Sequence, residues 1–104
     1  MIFYMITRTW HGTTLIGNAD EYLEFLLTEG TREYRETAGN ISVRVWRRKE
    51  NEICHFWTVT EWDNIESVKA FAGEDYEKAK YYAFDDGMLL AFEEYVNHYE
   101  SFVV

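Results

Sequence analysis

Residues Ile53–Trp62, ICHFWTVTEW, would carry apolar side chains on both faces if extended. Successive side chains of a strand point to opposite sides, so Ile53, His55, Trp57 and Val59 share one face, and Cys54, Phe56, Thr58, Thr60 and Trp62 share the other. An antiparallel sheet in a small domain ordinarily keeps one polar face, so a strand apolar on both needs two covering layers. This stretch is therefore expected to be a central strand. One face would lie under the chain's own helices and the other under a second copy of the chain.

The remaining elements follow from periodicity. Ile2–His11 reads as a first strand with Ile2, Tyr4, Ile6, Arg8 and Trp10 on one side and Phe3, Met5, Thr7, Thr9 and His11 on the other. It too is largely apolar on both sides, which makes it the second central strand. Gly12–Gly17 is expected to be a loop, with Asn18 capping a helix that runs to about Tyr34 and buries Ala19, Tyr22, Leu23, Leu26 and Leu27. After a turn over Thr37–Asn40, Ile41–Lys49 alternates as a strand nearer an edge, and Glu50–Glu52 closes a hairpin onto Ile53–Trp62. Asp63 or Asn64 caps a helix that ends at Gly73, EDYEKAKYY reads as a further short helix, and Asp85–Gly87 as a solvated loop. Met88–Phe92 fits a strand or a helical turn, and Glu94–Phe102 the last strand.

Strand, helix, strand, strand, helix, strand is the order of a split βαβ unit. The expected fold is thus α+β and ferredoxin-like, an antiparallel sheet with helices on one face. At 104 residues the whole chain, 1–104, is one domain. The uncovered face would present more Trp, Phe and Tyr than a monomer ordinarily exposes, so a homodimer closing an α+β barrel is expected.

Charge and composition exclude several function classes. The formal net charge is −9, with 11 acidic against 3 basic residues in the second half, which argues against nucleic acid and anionic membranes as partners. No apolar run is long enough to span a bilayer, and the opening MIFYMITR is too short for the core of a secretion signal. Cys54 stands alone inside an apolar strand and reads as a buried filler of a cytoplasmic protein. His11, His55 and His98 lack short ligand spacing and a paired cysteine, so no metal is expected, and no glycine-rich phosphate loop points to a nucleotide cofactor.

Among candidate residues, His98 lies in an aromatic strand where a neutral imidazole serves either as a general base or as a core histidine bonded to the backbone. His11, next to Gly12, reaches either a cavity mouth or solvent, and His55 is expected to pack. Arg8, costly to bury unpaired, meets a carboxylate such as Glu61 or Glu100 or binds an anionic group of a substrate. Tyr81 and Tyr82 line a pocket or pack. Trp10, Trp57 and Trp62 stack on a planar ligand or fill the core.

RTWHG at Arg8–Gly12, AGN at Ala38–Asn40, the pair Arg47 and Arg48, the strand-ending Trp62, AFAGEDYEKAKYY at Ala70–Tyr82 and NHYE at Asn97–Glu100 together resemble the antibiotic biosynthesis monooxygenase family of dimeric α+β barrels. The resemblance spans nearly the whole chain. It implies a cofactor-independent monooxygenase of a small electron-rich aromatic or quinol-like compound, or a non-catalytic ligand-binding or stress-associated barrel. In the first case His98 or His11 would be the base, Arg8 with Tyr81 or Tyr82 would orient and stabilise the anion, and tryptophans such as Trp10 and Trp57 would bind the ring and exclude water. The family's haem-degrading branch carries a ligand histidine on a late helix, a tryptophan on the helix before it and an asparagine on the first strand. Here DYEKAKYY has no histidine, Phe71 stands about where the tryptophan would be, and ITRTW has no asparagine, which disfavours that branch.

Overall fold

In the computed structural model, which describes residues 4–104, the chain forms β1 (Met5–Leu15), α1 (Ala19–Leu27), α2 (Arg32–Glu36), β2 (Asn40–Glu50), β3 (Ile53–Trp62), α3 (Ile65–Ala72) and β4 (Asn97–Ser101). All strand pairs are antiparallel, in the order β2-β3-β1-β4. The two strands with apolar residues on both faces are the central ones, and the fold is the ferredoxin-like α+β arrangement. Ile2 and Phe3, expected in the first strand, lie outside the described residues.

The even-numbered side chains of β1 and β3 face the helices. Cys54, Phe56, Thr58, Thr60 and Trp62 are all buried, whereas Ile53, His55 and Trp57 are half-buried on the open side. Register carries the same division onto β1: Arg8 pairs with Thr60, Trp10 with Thr58 and Gly12 with Phe56 on the helix side, while His11 pairs with Trp57 on the open side. The helix-side core has two parts. Trp10, Tyr22, Leu26, Cys54 and Phe56 form one with Leu89 and Val96, and Tyr34, Trp62, Val68 and Phe71 form the other.

Several boundaries differ from the sequence reading, each for a local reason. Gly12 begins no loop, because β1 continues to Leu15 paired with Ile53. A Cβ at Gly12 would lie 2.4 Å from Cη2 of Trp10, so glycine is needed for close approach of the indole, not for a turn. The first helix extends two residues past Tyr34 but breaks at Thr28, where φ −117° and ψ −89° leave the helical region, and Asn18 makes no side-chain cap because a 3-10 turn leads into α1. EDYEKAKYY is not helical. Its amides pair across to another segment, Ala79 N–H to Glu94 O at 2.9 Å and Val96 N–H to Glu77 O at 2.8 Å. Ala79 and Tyr81, two apart, pack against the core, so burial at period two overrides good helix formers. These same bonds delay β4 to Asn97, while Met88–Phe92 is neither strand nor helix.

The β2–β3 hairpin turns at Asn51 with φ 55°, a left-handed conformation that asparagine tolerates. Asn64 caps α3 as expected, its Oδ1 accepting from Ser67 N–H at 3.0 Å, and Gly73 ends it at φ 86°. Trp62 joins the two central strands to α2 and α3, with its ring edge-on to Tyr34 and tilted on Phe71. Trp62→Ala is expected to remove about 3–5 kcal/mol of stability by opening a cavity there, read as a shift of the urea midpoint at constant slope.

Candidate functional site

A pocket lies between the helix side of the sheet and α1, walled by Trp10, Tyr22, Phe25, Tyr34 and Tyr82 with Arg8 at its base. The aromatic wall comes from four separate segments. Its unfilled space is about 20 Å³, room for one water molecule. Gly30, in the break between α1 and α2, and the irregular segment that carries Lys80 and Tyr82 complete the rim.

Arg8 is 2% exposed, yet among the described residues no carboxylate reaches it. Its guanidinium donates to the carbonyl of Tyr76, to Lys78 O at 3.3 Å and to His98 Nε2 at 3.1 Å, and its Nε has no partner. The expected pairing with Glu61 or Glu100 does not occur. Glu61 is on the opposite face, where it accepts from Ser42 Oγ at 2.7 Å and lies 3.5 Å from Arg44, and the exposed Glu100 lies across from Ile6, not Arg8. Burial lowers the Arg8 pKa from its ordinary value, opposed in part by Tyr34, but the group stays cationic.

His98 is held by that cation. A guanidinium only donates, so Nε2 of His98 must be the acceptor and the imidazole is neutral with its proton on Nδ1. Burial, then the Arg8 charge, brings its pKa down to about 4. A weakly basic nitrogen already accepting a hydrogen bond is poorly placed to remove a phenolic proton, so the geometry favours the core-histidine alternative for His98, with Arg8 and not the backbone as its partner.

Two other expected site residues are elsewhere. His11 and Trp57 face the open side of the sheet, tilted against one another with centroids 5.0 Å apart, and neither lines the pocket. Tyr81 holds the pocket's Trp10, accepting from its Nε1 at 3.3 Å while donating to Glu93 O at 2.6 Å, so it positions the wall and presents no free hydroxyl. Trp10 and Tyr82 do line the pocket. Burial, then Glu33, raises the Tyr82 pKa, so its hydroxyl remains protonated at neutral pH.

Sequence reading missed Asp85, expected in a solvated loop. It is 2% exposed and accepts from Tyr22 Oη at 2.7 Å and from Tyr82 N–H at 2.7 Å. Nothing in the run Asp85–Gly87 separates it from a surface turn, although its partner Tyr22 was visible in the buried stripe of the first helix. The pair also raises the Tyr22 pKa, burial first and Asp85 next.

No protein-family model matches the chain, and no curated protein does. Solved structures do match. A Bacillus cereus protein assigned as an antibiotic biosynthesis monooxygenase superposes with a TM-score of 0.60 at 19% identity, over 96% of this chain and 93% of its own. The fold is that of an antibiotic biosynthesis monooxygenase. A heme-degrading protein from Mycobacterium tuberculosis gives 0.57 at 15% identity over 94% and 91%, and a Pseudomonas aeruginosa protein gives 0.60 at 16% over 100% and 98%. The residues here do not fit a haem. The segment resembling the late helix carries no histidine and runs through a turn into irregular backbone, and Nε2 of His98 is held by Arg8.

The depressed His98 pKa has a stability consequence. The unfolded histidine takes a proton near 6.5 and the folded one only near 4, so stability is fully present above about 6.5 and falls as the pH drops toward 4. The difference is on the order of 2–3 kcal/mol. Urea unfolding at pH 7 and 4.5 is expected to show this loss in the wild type and a correspondingly smaller loss in His98→Gln.

Proposed function

We propose that the chain is a cofactor-independent monooxygenase of a small, electron-rich aromatic or quinol-like compound, working as a homodimer. The observation that supports this reading is Arg8: a buried cation without a carboxylate, its Nε open, at the base of an aromatic-walled pocket. A phenolate seated there replaces the missing counter-ion, and the same charge lowers the phenol's pKa so that it ionises without a strong protein base. Trp10, Phe25 and Tyr34 offer apolar faces for the ring.

The reaction balances without an external reductant. A ring CH2 and O2 give C=O and H2O, and the substrate supplies all four electrons. Arg8 keeps the donor anionic, and the aromatic walls keep water from its charge. Entry of a ring needs the wall to move, since the unfilled space holds one water. The part with the fewest regular backbone bonds is the Gly73–Val96 segment bearing Lys80 and Tyr82, and it is the proposed gate.

The aromatic lining of the pocket also suits a second reading, a ligand-binding barrel without chemistry. Oxygen uptake by the metal-free protein against anthrols, naphthols and hydroquinones separates the two. The monooxygenase reading expects uptake that falls about 100-fold in Arg8→Met. Binding of these compounds without uptake would leave the second reading.

The homodimer is proposed from the open side of the sheet, where Trp46 and Tyr99 are 53% and 54% exposed beside Trp57 and Ile53. These exposed rings call for cover, and a second copy supplies the same surface in return. Light scattering at micromolar concentration is expected to give twice 12.5 kDa, and the single value would remove the dimer from the proposal.

A further inference from the structure

Four side chains away from the pocket form one line on the open side of the sheet. Glu93 Oε2 lies 2.5 Å from His11 Nδ1, His11 Nε2 lies 2.9 Å from His55 Nδ1, and His55 Nε2 lies 3.4 Å from Glu50 Oε1. The two rings meet edge to edge, for their 5.2 Å centroid separation is the 2.9 Å contact plus the two ring radii, with planes 22° apart. Both ends of the line are carboxylates, which only accept. For both ends to be hydrogen-bonded, Nδ1 of His11 and Nε2 of His55 must each carry a proton. That exhausts the protons of two neutral imidazoles and would leave lone pair facing lone pair in the middle. A hydrogen bond between the inner nitrogens requires a third proton. A metal ion would hold them wider, roughly 3.3 Å apart for two Zn–N bonds at a tetrahedral angle.

We propose that His11 and His55 hold three protons between them and that the shared one clasps the 88–96 segment to the sheet. Glu93 belongs to that segment, which is further tied to β1 by Leu90 N–H to Thr13 O at 2.9 Å. The carbonyl of Glu93 accepts from Tyr81, whose hydroxyl holds Trp10, so the clasp on the open side steadies a wall of the pocket on the other. The remaining charged neighbour is Arg48 of β2, across from His55. It pairs with Glu50 Oε2 at 2.7 Å and leaves Oε1 for the histidine. Trp57 packs against both rings and does not titrate. A fourth proton sets N–H against N–H, and loss of the third sets lone pair against lone pair. The clasp is closed between two edges of pH, not on one side of a single midpoint.

Long-range proton–nitrogen NMR of the labelled whole protein reads this directly. The expected result is both outer nitrogens protonated near neutral pH, inner nitrogens sharing one proton, and two separated titration steps for the pair. Exchange of the Leu90 amide, corrected for intrinsic base catalysis, is expected to be at least tenfold slower inside the window than on either side. In Glu93→Gln the new amide donates to His11, two protons then suffice, and the alkaline edge alone disappears. An unprotonated outer nitrogen near pH 7, a Leu90 exchange rate flat in pH, or an alkaline edge unchanged in Glu93→Gln would each overturn the proposal. Sedimentation at the same pH values separates the clasp from assembly: the expected exchange change occurs at constant mass, and one that tracks mass also overturns it.

Discussion

Everything in this molecule hangs on the burial of one face of β1 and β3 beneath the helices. Cys54, Phe56 and Trp62 are wholly inaccessible, and across from them β1 presents Trp10 and Arg8 on the same side. Because side chains alternate along a strand, slipping the pairing by one residue would expose this whole row and bury the opposite one. The row thus fixes the sheet register, and the register puts Arg8, Trp10 and His98 together under α1 and α2. The candidate site is a consequence of packing before it is anything chemical.

Arg8 is the one member of that row that packing alone does not explain. A guanidinium buried among aromatic rings, satisfied by two carbonyls and a neutral histidine, lacks the carboxylate that ordinarily offsets its desolvation. A hydrophobic side chain of similar size would be expected to serve stability better. Its place in the lining of a pocket, with one N–H unpartnered, is the feature on which the proposed binding role rests.

The fold was readable in the sequence wherever period two or period 3.6 ran without interruption, as in Ile53–Trp62, whose limits agree residue for residue, and in α3 with its Asn64 cap and Gly73 stop. It was misread where a residue had two physical uses. Gly12 can end a strand or admit an indole, and only the position of Trp10 distinguishes these. EDYEKAKYY is rich in helix formers, yet its backbone bonds go to residues 94–96, a contact that no local pattern announces. The site was readable in kind but not in arrangement. Arg8, Trp10 and Tyr82 do meet at the pocket, while His11 and Trp57 fall on the other side of the sheet by parity, and Asp85 gave no sign of its burial. Which face of an apolar strand meets the helices is a tertiary fact, and it decided the placements of Arg8, Trp10, His11 and Trp57.

The division of labour between regular and irregular backbone bears on how such a chain can diversify. The sheet and α1 hold the charged floor of the pocket, while much of its outer wall, including Lys80, Tyr82 and Asp85, comes from the stretch between α3 and β4. Side chains there can be exchanged, or the stretch lengthened, without moving a single strand pair of the four-stranded sheet. A lineage could therefore keep one architecture and one cation and change the shape of the molecule it accepts by rewriting some twenty contiguous residues.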